Sequence, residues 1–344
     1  MKKGIKYGLL LGILLVGVVG IAGIIATGFY MLDYSLKPKY NKGKDIEESY
    51  KYMRNEYPHI CQWMDSMLNA RALRDTFIVN AEGVRLHAMY ADAPEMTNKA
   101  AVIVHGYTDN CIRMLMLGYL YHKELGYNIL LPDLQNHGLS EGESIQMGWK
   151  DRKDVLQWME VANNLFQKSY HWETDTLYTP DGKWYIYSGD ECTSWMVVHG
   201  ISMGAATTMM LSNETPPYIR CFIEDSGYTS VWDEFSHELK EQFNLPSFPL
   251  INVTSRLCKA KYGWSFDEAS ALEQVRHCIF IPMMFIHGDA DTYVPTQMVH
   301  ELYETKWGDK ELWIVPGVEH AMAYKEHPEE YTERVKSFVE KHVK

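Results

Sequence analysis

The chain opens on one long apolar run and then settles into short apolar segments separated by polar turns. From Tyr7 to Leu32 no residue is charged, and Leu, Ile, Val, Gly and Ala dominate. As a helix rising about 1.5 Å per residue the run spans roughly 39 Å, enough to cross a hydrocarbon core of about 30 Å with some tilt. Residues 33–50 are polar, carry Pro38 and Gly43, and read as a tether, with a helical stretch from Ile46 to about Leu73.

Beyond that point strands and helices alternate, the pattern of a mainly parallel sheet covered by helices on both faces. Thr76–Val79 and Val84–Tyr90 read as an opening strand pair joined by a turn at Ala81-Glu82-Gly83. Further strands are expected at Ala100–Val104, Asn128–Leu131, Trp195–His199, Ile219–Glu224, Ile281–Ile286 and Leu312–Val315. Between Trp149 and Phe166 the apolar residues Val155, Trp158, Met159, Ala162, Leu165 and Phe166 recur at helical spacing. Helices are also expected at Met203–Ser212, near Gln297–Lys306, and from Pro328 to Val343. Two stretches interrupt the alternation. Residues 170–194 hold the turn signal Thr179-Pro180-Asp181-Gly182 and read as an inserted hairpin. Residues 228–276, aromatic and broken by Pro246 and Pro249, fall between two core strands where a helical cap fits. The expected organisation is an N-terminal anchor over 1–32, a tether and helical segment over 33–75, and an α/β domain over 76–344.

Composition narrows the partners. The net charge of −12 repels phosphate backbones and no long basic run is present, which argues against nucleic acid. Lys2, Lys3 and Lys6 precede the apolar run, as in a signal sequence or signal anchor. Gly20-Ile21-Ala22 and Ala26-Thr27-Gly28 offer small residues at cleavage-like spacing. The run nevertheless exceeds the usual signal-peptide core of about 7–15 residues, so a retained anchor is the preferred reading. Lys37, Lys39, Lys42 and Lys44 lie just beyond it, and positive charge at both ends leaves orientation undecided by that rule; a short N-terminal tail inside and the following domain outside is the expectation. The six cysteines show no metal-ligand spacing and read mostly as buried thiols, with room for one bridge in an exported domain.

The sharpest chemical signal is Gly200-Ile201-Ser202-Met203-Gly204, set between an apolar strand and a small-residue helix. A strained strand-to-helix turn pushes the serine hydroxyl outward, and the flanking glycines give its backbone room. A serine hydroxyl needs a base to take its proton. Of fourteen histidines, His320 is the one on a loop just after the last strand. His105, His137 and His287 adjoin glycines in turns, and His199 sits at a strand end, pointing away. The acid is expected after the penultimate strand. The order of preference is Asp291, which has reach towards the histidine loop, then Asp225, then Asp289, whose place in a tight turn suits local capping. The order Ser, Asp, His differs from the chymotrypsin and subtilisin orders. Backbone N–H groups of Met203 and Tyr107 are placed to form an oxyanion hole. No metal or nucleotide signature is present, and no cofactor is expected.

These pieces together resemble the α/β-hydrolase superfamily. They look most like bacterial, often N-terminally anchored serine hydrolases similar to prolyl-oligopeptidase-like enzymes and acyl-ester hydrolases. The matching segments are VIVHGYTDN (102–110), LLPDLQNHGLSEG (130–142), HGISMGAAT (199–207), IEDSGYTS (223–230), FIHGDADTYVP (285–295) and PGVEHA (316–321). One departure is Leu134-Gln135-Asn136 after Asp133, where relatives often carry an arginine. The resemblance implies a triad of Ser202, Asp291 and His320, oxyanion donors at Tyr107 and Met203, and an acyl-enzyme route on a carboxylic ester. A peptidase acting on aminoacyl amides, or a non-catalytic envelope binding protein on the same scaffold, are the alternatives.

Overall fold

In a computed structural model, residues 2–38, 41–170, 177–178, 184–185, 194–214 and 216–343 are described. The apolar run forms a single helix, α1 (Lys2–Leu36), within which Leu14–Leu36 is long and apolar enough to cross a membrane. Its last turns pack against the rest of the protein, with Leu32 and Leu36 fully buried. Residues 33–50, expected as a tether, therefore begin inside α1, and Gly43 accepts hydrogen bonds from Asn110 and Gly138. The helical stretch expected from Ile46 is split into α2 (Ile46–Glu56) and α3 (Cys61–Asn69). Pro58 lies between them, where a helix interior would lose a backbone hydrogen bond.

The domain that follows carries an eight-stranded sheet. In chain order it runs β1 (Arg74–Val79), β2 (Arg85–Ala91), β3 (Lys99–Val104), the short α4 (Leu115–Tyr119), β4 (Asn128–Pro132) and α5 (Asp151–Tyr170). The inserted hairpin contributes β5 (Leu177–Tyr178) paired antiparallel with β6 (Trp184–Tyr185); the rest of 171–193 lies outside the described residues. Then come β7 (Trp195–Ile201), α6 (Met203–Leu211), β8 (Ile219–Asp225), α7 (Val231–Phe243), α8 (Leu250–Tyr262) and α9 (Ala271–His277). The chain closes with β9 (Met283–Gly288), α10 (Gln297–Thr305), β10 (Lys310–Val315), α11 (Ala323–Glu326) and α12 (Pro328–His342).

The sheet order is β1-β2-β4-β3-β7-β8-β9-β10. The β1–β2 and β2–β4 pairs are antiparallel, and all pairs from β4 to β10 are parallel. Strands inside a parallel sheet are covered on both faces and so read as continuous apolar runs. Alternate residues of each strand feed two cores. Val102, Val198, Phe222 and Phe285 meet α5, α6 and the helices of 231–277; Ile103, Val197, Ile223 and Ile286 meet α2, α3, α4 and α12. The segment 228–276 is helical, as expected for a cap. Ser230 caps the start of α7, left-handed Asn244 closes it, and Gly263 (φ 84°) closes α8. Cys61, Cys111, Cys221, Cys258 and Cys278 are free thiols, while Cys192 lies outside the described residues.

Candidate active site

The strand-to-helix turn after β7 holds Ser202 at φ 57°, ψ −120°, a backbone conformation that costs energy in any residue with a Cβ. Neighbouring packing holds it there. The Ser202 N–H donates to the Asp225 carbonyl (2.8 Å), and Gly204 lies against β3 so closely that a Cβ there would collide with the Val104 carbonyl oxygen. The strain aims Oγ out of the sheet, towards the loop after β10.

That loop brings His320 to the serine. His320 Nε2 is 2.8 Å from Ser202 Oγ, and Nδ1 is 2.7 Å from Asp291 Oδ2. The Asp291 carboxylate also accepts from the N–H groups of Tyr293 and Val294 at 2.9 Å each. Burial would raise its pKa, but hydrogen bonds from His287 and His320, and their charge, hold it down to about 2. An ionised carboxylate only accepts, so the proton of the His320 ring sits on Nδ1 and Nε2 is left to accept from the serine hydroxyl. Ser202, His320 and Asp291, drawn from three loops at one edge of the sheet, thus form one hydrogen-bonded chain.

The other candidates fall elsewhere. Asp225 does not reach His320; its carboxylate accepts from Ser226 Oγ (2.9 Å) and Tyr331 Oη (2.9 Å). Ser226 Oγ in turn accepts from the Ala321 N–H (3.2 Å), so Asp225 braces the histidine loop from below. That bracing role had no local signature in the sequence, because its partners are contributed by β8, the histidine loop and α12. Asp289 accepts from the Gly317 N–H, 28 positions away, rather than from its own turn as expected, because the loop after β10 passes directly over it. His199 lies between the hydroxyls of Tyr121 and Tyr331, where burial lowers its pKa to about 3. His105 accepts from the Leu134 N–H, as a turn residue should, and His137 accepts from the Thr108 N–H. His287 is more than a turn residue: its Nε2 faces both the Val294 carbonyl (2.9 Å) and Asp291 Oδ2 (3.2 Å).

Tyr107 and Met203 line the same cavity as Ser202, about 660 Å³ in volume. The Tyr107 hydroxyl donates to the Ser35 carbonyl of α1 (2.8 Å), so the phenol is engaged there. The cavity wall is largely aromatic and aliphatic, with Phe235, Leu250, Phe266 and Tyr293 among its residues. Among its polar residues, Glu234 is buried with Oε2 unpaired. Burial, then repulsion from Glu238, Asp291 and Asp233, drives its pKa well upward. One glutamate among several acidic residues of a helix gave no sequence signal of this.

Among the described residues, His87, Cys111 and Asp133 form the one group close enough to share a metal ion. Both His87 ring nitrogens are already used, towards Asp133 and Asp75, and burial pushes the Cys111 thiol well up, away from the thiolate a metal requires. Asp133 also accepts from the Cys111 and Leu139 N–H groups, so the cluster fastens the turn after β4.

A sheet of this order, carrying a serine on the turn after its central strand and a histidine after its last, is the α/β-hydrolase architecture. Comparison with known proteins agrees. Residues 190–344 match the model of the prolyl oligopeptidase family. The uncharacterized protein YqkD of Bacillus subtilis (strain 168) is 28% identical over 252 residues, 73% of this chain and 74% of its own. The Pyrococcus furiosus esterase Pf2001 superposes with a TM-score of 0.57 at 22% identity, over 79% of this chain and 93% of the esterase. The Pyrococcus horikoshii acylaminoacyl peptidase superposes with a TM-score of 0.53 at 14% identity, over 81% of this chain and 44% of the peptidase. The chain has the α/β-hydrolase fold and is similar over its C-terminal part to the prolyl oligopeptidase family.

Proposed function

We propose that the protein is a carboxylic-ester hydrolase working through a Ser202–His320–Asp291 triad. The observation that carries this reading is the unbroken hydrogen-bonded chain from Ser202 Oγ through both His320 nitrogens to Asp291. Ser202 Oγ attacks the acyl carbon while His320 Nε2 takes the hydroxyl proton. The oxyanion that forms lies against the N–H groups of Met203 and Tyr107. His320 then returns the proton to the departing alkoxide, leaving Ser202 acylated. Water, deprotonated by the same imidazole, releases the carboxylic acid and restores the serine. A cavity wall mainly of carbon suits an acyl group. The second reading, cleavage of an aminoacyl amide, draws support from the match to the prolyl oligopeptidase family.

The protein in this reading is held by α1 as a retained anchor, with the catalytic domain on the extracytoplasmic side. Support comes from the last turns of α1, which form part of the cavity wall. Ser202→Ala is expected to lower ester turnover by at least about 10⁴-fold and to abolish labelling by a fluorophosphonate, with unchanged thermal unfolding. Labelling retained in that variant would remove Ser202 from the role of nucleophile. Parallel assays on p-nitrophenyl esters and aminoacyl anilides separate the two substrate readings.

A further inference from the structure

The apolar helix and the cavity are one continuous object. The buried positions near the end of α1 are Gly28, Leu32 and Leu36, spaced to place one stripe against the enzyme. Gly28 lies against Val253, Thr254 and Leu257 of α8, and Asp33 pairs with Lys261 (2.9 Å) further along the same helix. The two helices therefore run in the same direction. Tyr30, Met31 and Tyr34 of α1 line the cavity that holds Ser202, and Ser35 accepts from the Tyr107 hydroxyl.

The first charged side chain after the apolar run, Asp33, meets Lys261, a polar pairing that belongs outside the hydrocarbon. The membrane-crossing part consequently lies N-terminal to it. Residues 8–29 give roughly 33 Å of uncharged helix, which matches a hydrocarbon core of about 30 Å. Exposed Tyr7 stands at one end, and exposed Phe29, Tyr30 and Tyr34 at the other, as aromatic belts do at the two interfaces. Because α8 runs parallel to α1, the loop 244–249 before α8 is level with the last membrane-facing turns of α1. This loop exposes Leu245 and Phe248, the latter 76% accessible. Phe248 and Leu245 do not line the cavity. Single exposed apolar residues are ordinary, but these stand level with the exposed apolar turns of α1.

We infer that the cavity stands at the bilayer surface, with Leu245 and Phe248 dipping into it, and draws its substrate from the membrane as an ester with a long acyl chain. The inference rests on the ester-hydrolase reading and names its substrate class. The acyl chain leaves the bilayer beside Tyr30 and Tyr34 and lies along the carbon wall with its carbonyl at Ser202. No transfer of the chain through water, unfavourable for every methylene exposed, is needed.

The test uses the full-length protein reconstituted in phosphatidylcholine vesicles. Two esters with one leaving group are compared, p-nitrophenyl butyrate in the water and p-nitrophenyl palmitate dissolved in the bilayer. Leu245→Asp combined with Phe248→Asp is expected to lower palmitate turnover at least about tenfold while butyrate turnover stays within about twofold. Separately, the extra emission of Phe248→Trp is expected to be quenched by brominated lipid. An unchanged palmitate-to-butyrate ratio, or extra emission that brominated lipid leaves intact, overturns the inference while butyrate turnover keeps the ester-hydrolase reading standing. An unaltered enzyme that cleaves neither ester overturns both.

Discussion

At the scale of single residues, the site depends on which groups are charged. Asp291 must stay an acceptor to keep the His320 proton on Nδ1 and leave Nε2 free for the serine. Asp291→Asn presents an amide that can donate, which favours the wrong tautomer; kcat is expected to fall about 10⁴-fold with the fold intact, measured on a soluble ester. Because the Asp291 pKa is lowered from 3.8 to about 2, its contribution to stability is present above pH 4 and is lost as pH falls towards 2. Asp151 shows the opposite sign. Burial, reinforced by Asp154, raises its carboxyl from 3.8 to about 7, and one of its oxygens has no partner. The folded state holds that proton where the unfolded chain has released it, so stability declines between about pH 4 and pH 7. Asp151→Asn, which cannot ionise, is expected to flatten this decline by a few kcal/mol at most, at about 1.4 per pKa unit. Thermal unfolding of both proteins at pH 5, 6, 7 and 8 would read the difference; parallel curves would contradict it.

At the scale of elements, the nucleophile turn is positioned by a close approach of α6 to β3. The approach requires a residue without a Cβ at Gly204, where any side chain meets the Val104 carbonyl. Gly204→Ala is expected to destabilise by about 3 kcal/mol or more, since neither backbone can give way without moving Ser202. Circular dichroism melts and fluorophosphonate labelling would both report it. Gly20→Ala is the matched control, because a methyl group there has nothing within 4 Å. The 228–276 helices depend on a different kind of element contact. Tyr34 packs edge-on against Phe243, and Trp264 Nε1 donates to Gln146, tying the helical insertion to α1 and to the loop before α5.

At the scale of the whole molecule, α1 combines two environments. Residues 14–23 are exposed and uncharged, and its last turns pack into the core through Leu32 and Leu36. A retained helix of this kind keeps the protein in the membrane pellet after an alkaline carbonate wash, whereas cleavage near Ala22 or Gly28 would release it to the supernatant. Fractionation followed by immunoblotting distinguishes the two, and the mass of the purified chain shows whether residues 2–28 remain. The net charge of −12 opposes electrostatic attraction of the chain as a whole to anionic lipid. In the anchored reading, its hold on a membrane depends on α1 and the adjoining apolar loop.

Much of this was legible along the chain because it is local. Period-two and period-3.6 patterns expose strands and helices, and the Gly200–Gly204 turn carries its chemistry within five positions. The His320 and Asp291 loops were legible for a related reason: each directly follows an apolar strand, and parallel strands deliver the loops after them to one edge of the sheet. What the tertiary structure alone decided is how distant parts share a surface. Ser35 meets Tyr107, Asp225 braces Ala321 through Ser226, and α1 ends in the cavity wall. No short-range periodicity encodes such contacts, because they arise from strand order and helix packing, where residues more than seventy positions apart meet only once the core has closed.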